Sequence, residues 1–165
     1  MAMVITDWKA VERKLTKDAQ KFLQEAYGLT LECPVEVNGR LKSKNGRFVY
    51  SRRIKRPVKI EISKNYIQYQ DWKIVIETLK HECIHYALYM LDKPFHDGHP
   101  LFEAEIQKHD SHSTGVIRYK GKVVTYECPS CKHEWRRKKK YPNNGAGYQC
   151  AKCKVQIVYT GEKIV

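Results

Sequence analysis

Four of the six cysteines fall into two Cys-x-x-Cys pairs, Cys128/Cys131 and Cys150/Cys153, with 18 residues between them. No other feature constrains the tail of the chain so tightly. Each pair offers two thiolates from one tight turn, and four thiolates complete a closed tetrahedral site with no open position, so the zinc expected there is structural. A redox dithiol and an iron–sulfur site are the alternatives that the spacing allows. The N-terminus, MAMVITDWKA, lacks a basic segment followed by an apolar stretch, which predicts a cytoplasmic protein whose thiols stay reduced. Cys33 and Cys83 stand alone and are expected in the core.

The tail repeats Tyr126-x-Cys-x-x-Cys and Tyr148-x-Cys-x-x-Cys, the pattern of a zinc ribbon. Its 50 residues, 116–165, bury too small an apolar core to fold alone, so metal binding is expected to contribute much of its stability. Short strands are predicted at Val116–Tyr119 and Val123–Cys128, and Gln156–Thr160 could close their sheet. A polar stretch, Ser111–Gly115, marks the boundary between this ribbon and a first domain over residues 1–115.

The first domain reads as α+β. Trp8, Val11, Leu15, Phe22 and Ala26 lie on one face of an N-terminal helix that Asp7 would cap and Gly28 would end. Val35–Leu41 and Arg47–Arg52 flank Asn45-Gly46, which predicts a hairpin. Val58, Ile60 and Ile62 alternate with Lys59, Glu61 and Ser63, the pattern of a half-buried strand. A small antiparallel or mixed sheet follows from these segments. A helix from about Asp71 to Leu91 comes next, and a second begins at Pro100. The longest apolar run, Tyr86 to Leu91, has six residues, against roughly 18 for a membrane span.

On the longer helix lies His81-Glu82-Cys83-Ile84-His85. Histidines at i and i+4 share a helix face and can reach one cation, while the glutamate between them stands near the open coordination position. Zinc lowers the pKa of water at that position to roughly 7, and Glu82 is placed to take its proton. A third ligand is needed. Leu88 and Leu91 stand where a metzincin requires Gly and His, which excludes that class. Glu103 and Glu105 are the acidic candidates; His99, beside Gly98 at the start of the second helix, is favoured, with His96 next. His109 and His112 are expected to face solvent.

From Val37 to His109 the sequence resembles the SprT-like (Spartan-like) metallopeptidase domain. The resemblance rests on Asn38-Gly39-Arg40-Leu41, Gly46-Arg47-Phe48, Ile60-Glu61-Ile62-Ser63, His81–His85 and Gly98-His99-Pro100-Leu101-Phe102. It implies that His81, His85 and His99 hold a catalytic zinc and that Glu82 is the catalytic glutamate. Many bacterial members likewise carry a zinc ribbon after this domain. Pro100 departs from the glycine that related domains often have there.

Charge suggests a partner. The chain has 31 Lys and Arg against 18 Asp and Glu, a net charge of +13, and the balance is segmented. Residues 33–70 carry +8 and residues 116–165 carry +9, whereas residues 71–115, which hold the histidine motif, carry −4. Between the cysteine pairs, Trp135-Arg136-Arg137-Lys138-Lys139-Lys140-Tyr141 puts five cations between aromatics, as nucleic-acid backbone neutralisation and base stacking require. Arg52, Arg53, Lys55 and Arg56 form a second cluster. The sequence therefore predicts a two-zinc metallopeptidase acting on an extended polypeptide held by strand addition, bound to nucleic acid (DNA ahead of RNA) and to no membrane. Two rivals share these features: a catalytically silent zinc-binding nucleic-acid adaptor, and purely structural use of both zincs.

Overall fold

The computed structural model describes residues 4–113 and 115–165, so Met1–Met3 of the N-terminal reading and Thr114 of the polar boundary stretch lie outside the described residues. The described residues form four α-helices and two three-stranded sheets, in two compact units that divide between Tyr119 and Lys120.

In the first unit, α1 (Trp8–Tyr27) starts where Asp7 accepts the Ala10 N–H and stops at Gly28, whose φ of 65° lets its N–H return to the Gln24 carbonyl. Its buried face, Leu15, Ala19 and Leu23, packs into one core with Ile60, Ile62, Val75, Leu79, Cys83 and Tyr86. Cys33 and Cys83 are both buried in that core.

The sheet differs from the hairpin expected around Asn45-Gly46. Strands β1 (Val35–Asn38) and β2 (Gly46–Ser51) do not pair; both flank β3 (Arg56–Ser63), β1 parallel and β2 antiparallel. Asn45 already lies in register with the end of β3, its carbonyl accepting the Ser63 N–H at 2.8 Å, and Gly46 is a strand residue without positive φ. The turn that joins β2 to β3 is the basic segment Arg52–Lys55, closed by Lys55 at φ 49°. As the central strand, β3 is buried on both faces over Ile60–Ser63, not half-buried as its alternation suggests. Glu61, 1% exposed, meets Arg47, Lys59 and Asn38 on the face away from the core isoleucines.

Helix α2 (Lys64–Tyr69), capped by Ser63, leads into α3 (Trp72–Met90). Because α3 is buried on several sides, it can carry His81 and Glu82 out of water. Helix α4 (Pro100–Lys108) packs Phe102 and Ile106 against Ile84 and Leu88 of α3.

The second unit is a sheet in the order β5-β4-β6: β4 (Lys122–Glu127) pairs antiparallel with β5 (Glu134–Arg137) and β6 (Val158–Ile164). Val116–Tyr119 is not a strand; Tyr119 packs against the first core and hydrogen-bonds with Asn65. The closing strand runs four residues beyond the predicted Thr160, to Ile164.

Candidate functional site

One turn of α3 brings His81 and His85 side by side, and the backbone fixes which nitrogen each presents. His81 donates Nδ1–H to the His112 carbonyl at 2.7 Å, and His85 donates Nδ1–H to the Phe95 carbonyl. Both Nε2 lone pairs are thereby turned to the same place, where the two atoms stand 3.1 Å apart. Asp97 adds a carboxylate oxygen, Oδ1, at 3.0 Å from His81 Nε2 and 3.4 Å from His85 Nε2. The ring of Phe102 stacks on His85 at 4.2 Å and meets His81 edge-on. Two neutral imidazole nitrogens and a carboxylate oxygen form a donor set that suits zinc, and the carbonyl partners hold the rings in the ligating orientation. Burial would lower the pKa of His81, but Asp97, Glu82 and the His112 carbonyl outweigh it and leave the ring above its ordinary value.

Glu82, 6% exposed, lies against the backbone of Gly46 at the start of β2. A β-carbon there would fall 2.9 Å from both Cγ and Oε1 of Glu82. Burial pushes the Glu82 carboxyl above the ordinary carboxylate range, partly offset by His85, His81 and the Phe48 backbone N–H. A carboxylate with raised proton affinity is suited to accept a proton at neutral pH.

The two edges of the first sheet are treated differently. Along β1, α1 supplies Glu12, whose Oε1 accepts the Val37 N–H at 2.9 Å and so occupies an edge donor. The outer edge of β2 pairs with no strand among the described residues, and β2 begins at the residue that faces Glu82.

His99 is not gathered with the other two histidines. It is exposed and serves as N-cap of α4, its Nδ1 accepting the Leu101 N–H at 3.2 Å, because Pro100 at the first helical position leaves the next donor to be satisfied there. Glu103 instead accepts the Gly98 N–H and bonds Ser113, Glu105 accepts from Tyr27, and His96 is exposed. His109 does not face solvent; it is enclosed by Phe22 and Tyr27. His112 pairs with Glu77, and its carbonyl orients His81. The sequence reading missed Asp97, Gly46 and these two carbonyl anchors. Asp97 has a signal in its place two residues before His99, and Gly46 in the Gly46-Arg47-Phe48 stretch; a carbonyl anchor leaves none.

In the second unit the sulfurs of Cys128, Cys131, Cys150 and Cys153 lie within 4.8 Å of one another, with Cys131 and Cys150 3.8 Å apart. A tetrahedron with zinc–sulfur bonds of about 2.3 Å has edges near 3.8 Å. The two knuckles are built alike. Cys128 donates its N–H to the His133 carbonyl and Cys150 to that of Val155, while Lys132 and Lys154 return their N–H groups to Cys128 and Cys150. Both lysines adopt positive φ, 60° and 58°, to make the turn. Backbone N–H groups of Cys153 and Lys152 hold the Cys150 thiol below its ordinary value, while at Cys131 the His133 N–H is outweighed by burial and the other three thiols, which push it up.

The cation run between the knuckles is not one exposed loop. Trp135, Arg136 and Arg137 belong to β5. Arg136 pairs with Glu134 at 2.8 Å, Arg137 lies over the Tyr141 ring at 3.7 Å, and Lys140 reaches Glu162 and the Tyr159 ring. Lys138 is half-buried, which pushes its ammonium below the ordinary lysine value, and Lys139 is exposed. Trp135 packs edge-on against His133.

No described helix is long and apolar enough to cross a membrane. The SprT-like family model matches residues 12–121, two thirds of the chain. A "Protein SprT-like" of Bacillus velezensis is 27% identical over 157 residues, covering 88% of this chain and 93% of that protein. Proteins of the same name from Bacillus cereus (strain G9842) and Streptococcus suis are each 24% identical, covering 86% and 85% of this chain and 93% and 96% of their own lengths. With the helix-borne His-Glu-x-x-His site and the four-cysteine cluster in place beside this match, the chain belongs to the SprT-like family.

Proposed function

We propose that this protein is a zinc metallopeptidase that hydrolyses peptide bonds of extended polypeptides, works in the cytoplasm and associates with nucleic acid. The observation that carries the reading is the position of Glu82: buried, beside two oriented histidines, and against the first residue of the open edge strand β2. A polypeptide adding to β2 by main-chain hydrogen bonds would run past Gly46 and bring a carbonyl to the histidines. Zinc bound there supplies Lewis acidity for that carbonyl and for water. Glu82 takes the proton of the attacking water and delivers it to the leaving amine nitrogen as the C–N bond breaks. Burial of Glu82 keeps bulk water from competing for that proton.

His81 and His85 are two of the ligands in this reading, and the family pattern gives His99 as the third. A second reading gives that place to Asp97, because its Oδ1 is already 3.0 Å from His81 Nε2. The four cysteines hold the second, structural zinc. The net charge of +13 draws the chain to nucleic-acid phosphates, and six free cysteines suit a reducing compartment.

The test is incubation of the purified chain with an unfolded protein, with the new termini identified by mass spectrometry. Cleavage abolished by a zinc chelator and restored by zinc is expected. No cleavage by the zinc-loaded protein would leave the silent-adaptor reading in its place.

A further inference from the structure

We propose that the turn between β2 and β3, Arg52-Arg53-Ile54-Lys55 together with Arg56, is the principal nucleic-acid contact of this chain. The inference deepens the nucleic-acid association proposed above and rests on it, but not on peptidase activity.

The observation is a contrast between two cation clusters. In the tail, Arg136, Arg137 and Lys140 are held by Glu134, Tyr141, Tyr159 and Glu162, and Lys138 is half-buried. At the β2–β3 turn all five residues are exposed, and among the described residues none of the four cations has an ion pair. The acids nearest in the sheet are taken, Glu36 by Lys59 and Glu61 by Lys59 and Arg47. Four positive charges therefore stand uncompensated within five residues, where they release counterions when they meet phosphates.

Shape agrees with charge. The last cross-strand pair is Ser51 with Arg56, so residues 52–55 form the tip of the hairpin, and Ile54 there is 61% exposed. One apolar side chain ringed by cations is how groove-binding elements rest against sugars or wedge at a base step while the cations take the backbone. An anionic bilayer fits less well, because interfacial binding needs an extended apolar face and this tip offers one isoleucine. The tip also stands at the far end of β2 from Gly46, six residues or about 20 Å away, which leaves the Glu82 end clear for polypeptide.

The experiment is fluorescence anisotropy of a labelled DNA duplex with the full chain, titrated from about 50 to about 200 mM salt. Replacing Arg52, Arg53, Lys55 and Arg56 together by Ser should lower the slope of log affinity against log salt by up to about 3.6 and weaken binding at least about tenfold at the lowest salt. Ile54→Ser should weaken binding without changing the slope, and Arg136→Ser with Lys139→Ser should keep most of it. Zinc content and circular dichroism confirm that each variant is folded. As a check that needs no variant, DNA should protect Lys55 of the wild type from acetylation. If the wild type binds DNA but the hairpin variant keeps the full slope, the association stands and this assignment falls. If the wild type does not bind at low salt, both fall. Capture by phosphatidylserine vesicles that depends on Ile54, with Lys55 unprotected by DNA, would assign the tip to membranes and overturn the proposal.

Discussion

Gly46 and Glu82 are fitted to each other: the backbone of the first β2 residue occupies the space beside the Glu82 carboxylate, and a β-carbon there would lie 2.9 Å from its Oε1. The glycine is required by this close approach and not by a turn, since its φ is not positive. It links the two halves of the proposed mechanism, the strand that would hold polypeptide and the group that would move the proton.

Gly46→Ala should therefore displace Glu82 and leave the histidines in place. We expect kcat to fall by about 10- to 100-fold with zinc content unchanged, because small misplacements of a reacting group cost that much. Stability should fall by about 1–3 kcal/mol from overpacking. Parallel assays of turnover and bound metal check this.

Elemental analysis should return two zincs per chain. Cys128→Ser should lose one and unfold residues 120–165 while sparing the first unit, because the small second core depends on its metal. His85→Ala should lose the other. His99→Ala should lose that same zinc and Asp97→Ala should keep it; the reverse result would give the third ligand to Asp97.

Glu61 gives a pH prediction. Burial would raise its pKa, but Lys59, Arg47 and Asn38 outweigh burial and hold it below the ordinary carboxylate value. A depressed folded pKa means that the contribution to stability is present above the unfolded value of about 4.3 and is lost as pH falls through the folded one. Glu61→Gln should cost about 1–3 kcal/mol at pH 7, and the gap from wild type should close as the pH is lowered. Thermal unfolding of the two proteins across that range tests the sign.

Much of this was legible in the sequence because the relevant signals are local. Helical periodicity places α1 and α3, Asp7 and Gly28 mark the ends of α1, and the cysteine spacing defines both knuckles. What was misread is non-local. Asn45-Gly46 carries turn chemistry, yet the parallel pairing of β1 with β3 makes it a strand entry, and only the distant Glu82 explains the glycine. The cation run looked continuous until β5 and its aromatic neighbours partnered it. His112 and Phe95 act through backbone carbonyls, which any residue would supply.

The central claim is that Glu82 moves the proton in peptide hydrolysis, and the rate of the Glu82→Gln variant tests it most directly. Gln keeps the side-chain shape and leaves the histidines free to bind zinc, so the variant should retain both zincs while cleavage of an unfolded protein slows by about 10²- to 10⁴-fold. Equal cleavage rates for wild type and variant, at equal zinc content, would contradict the account.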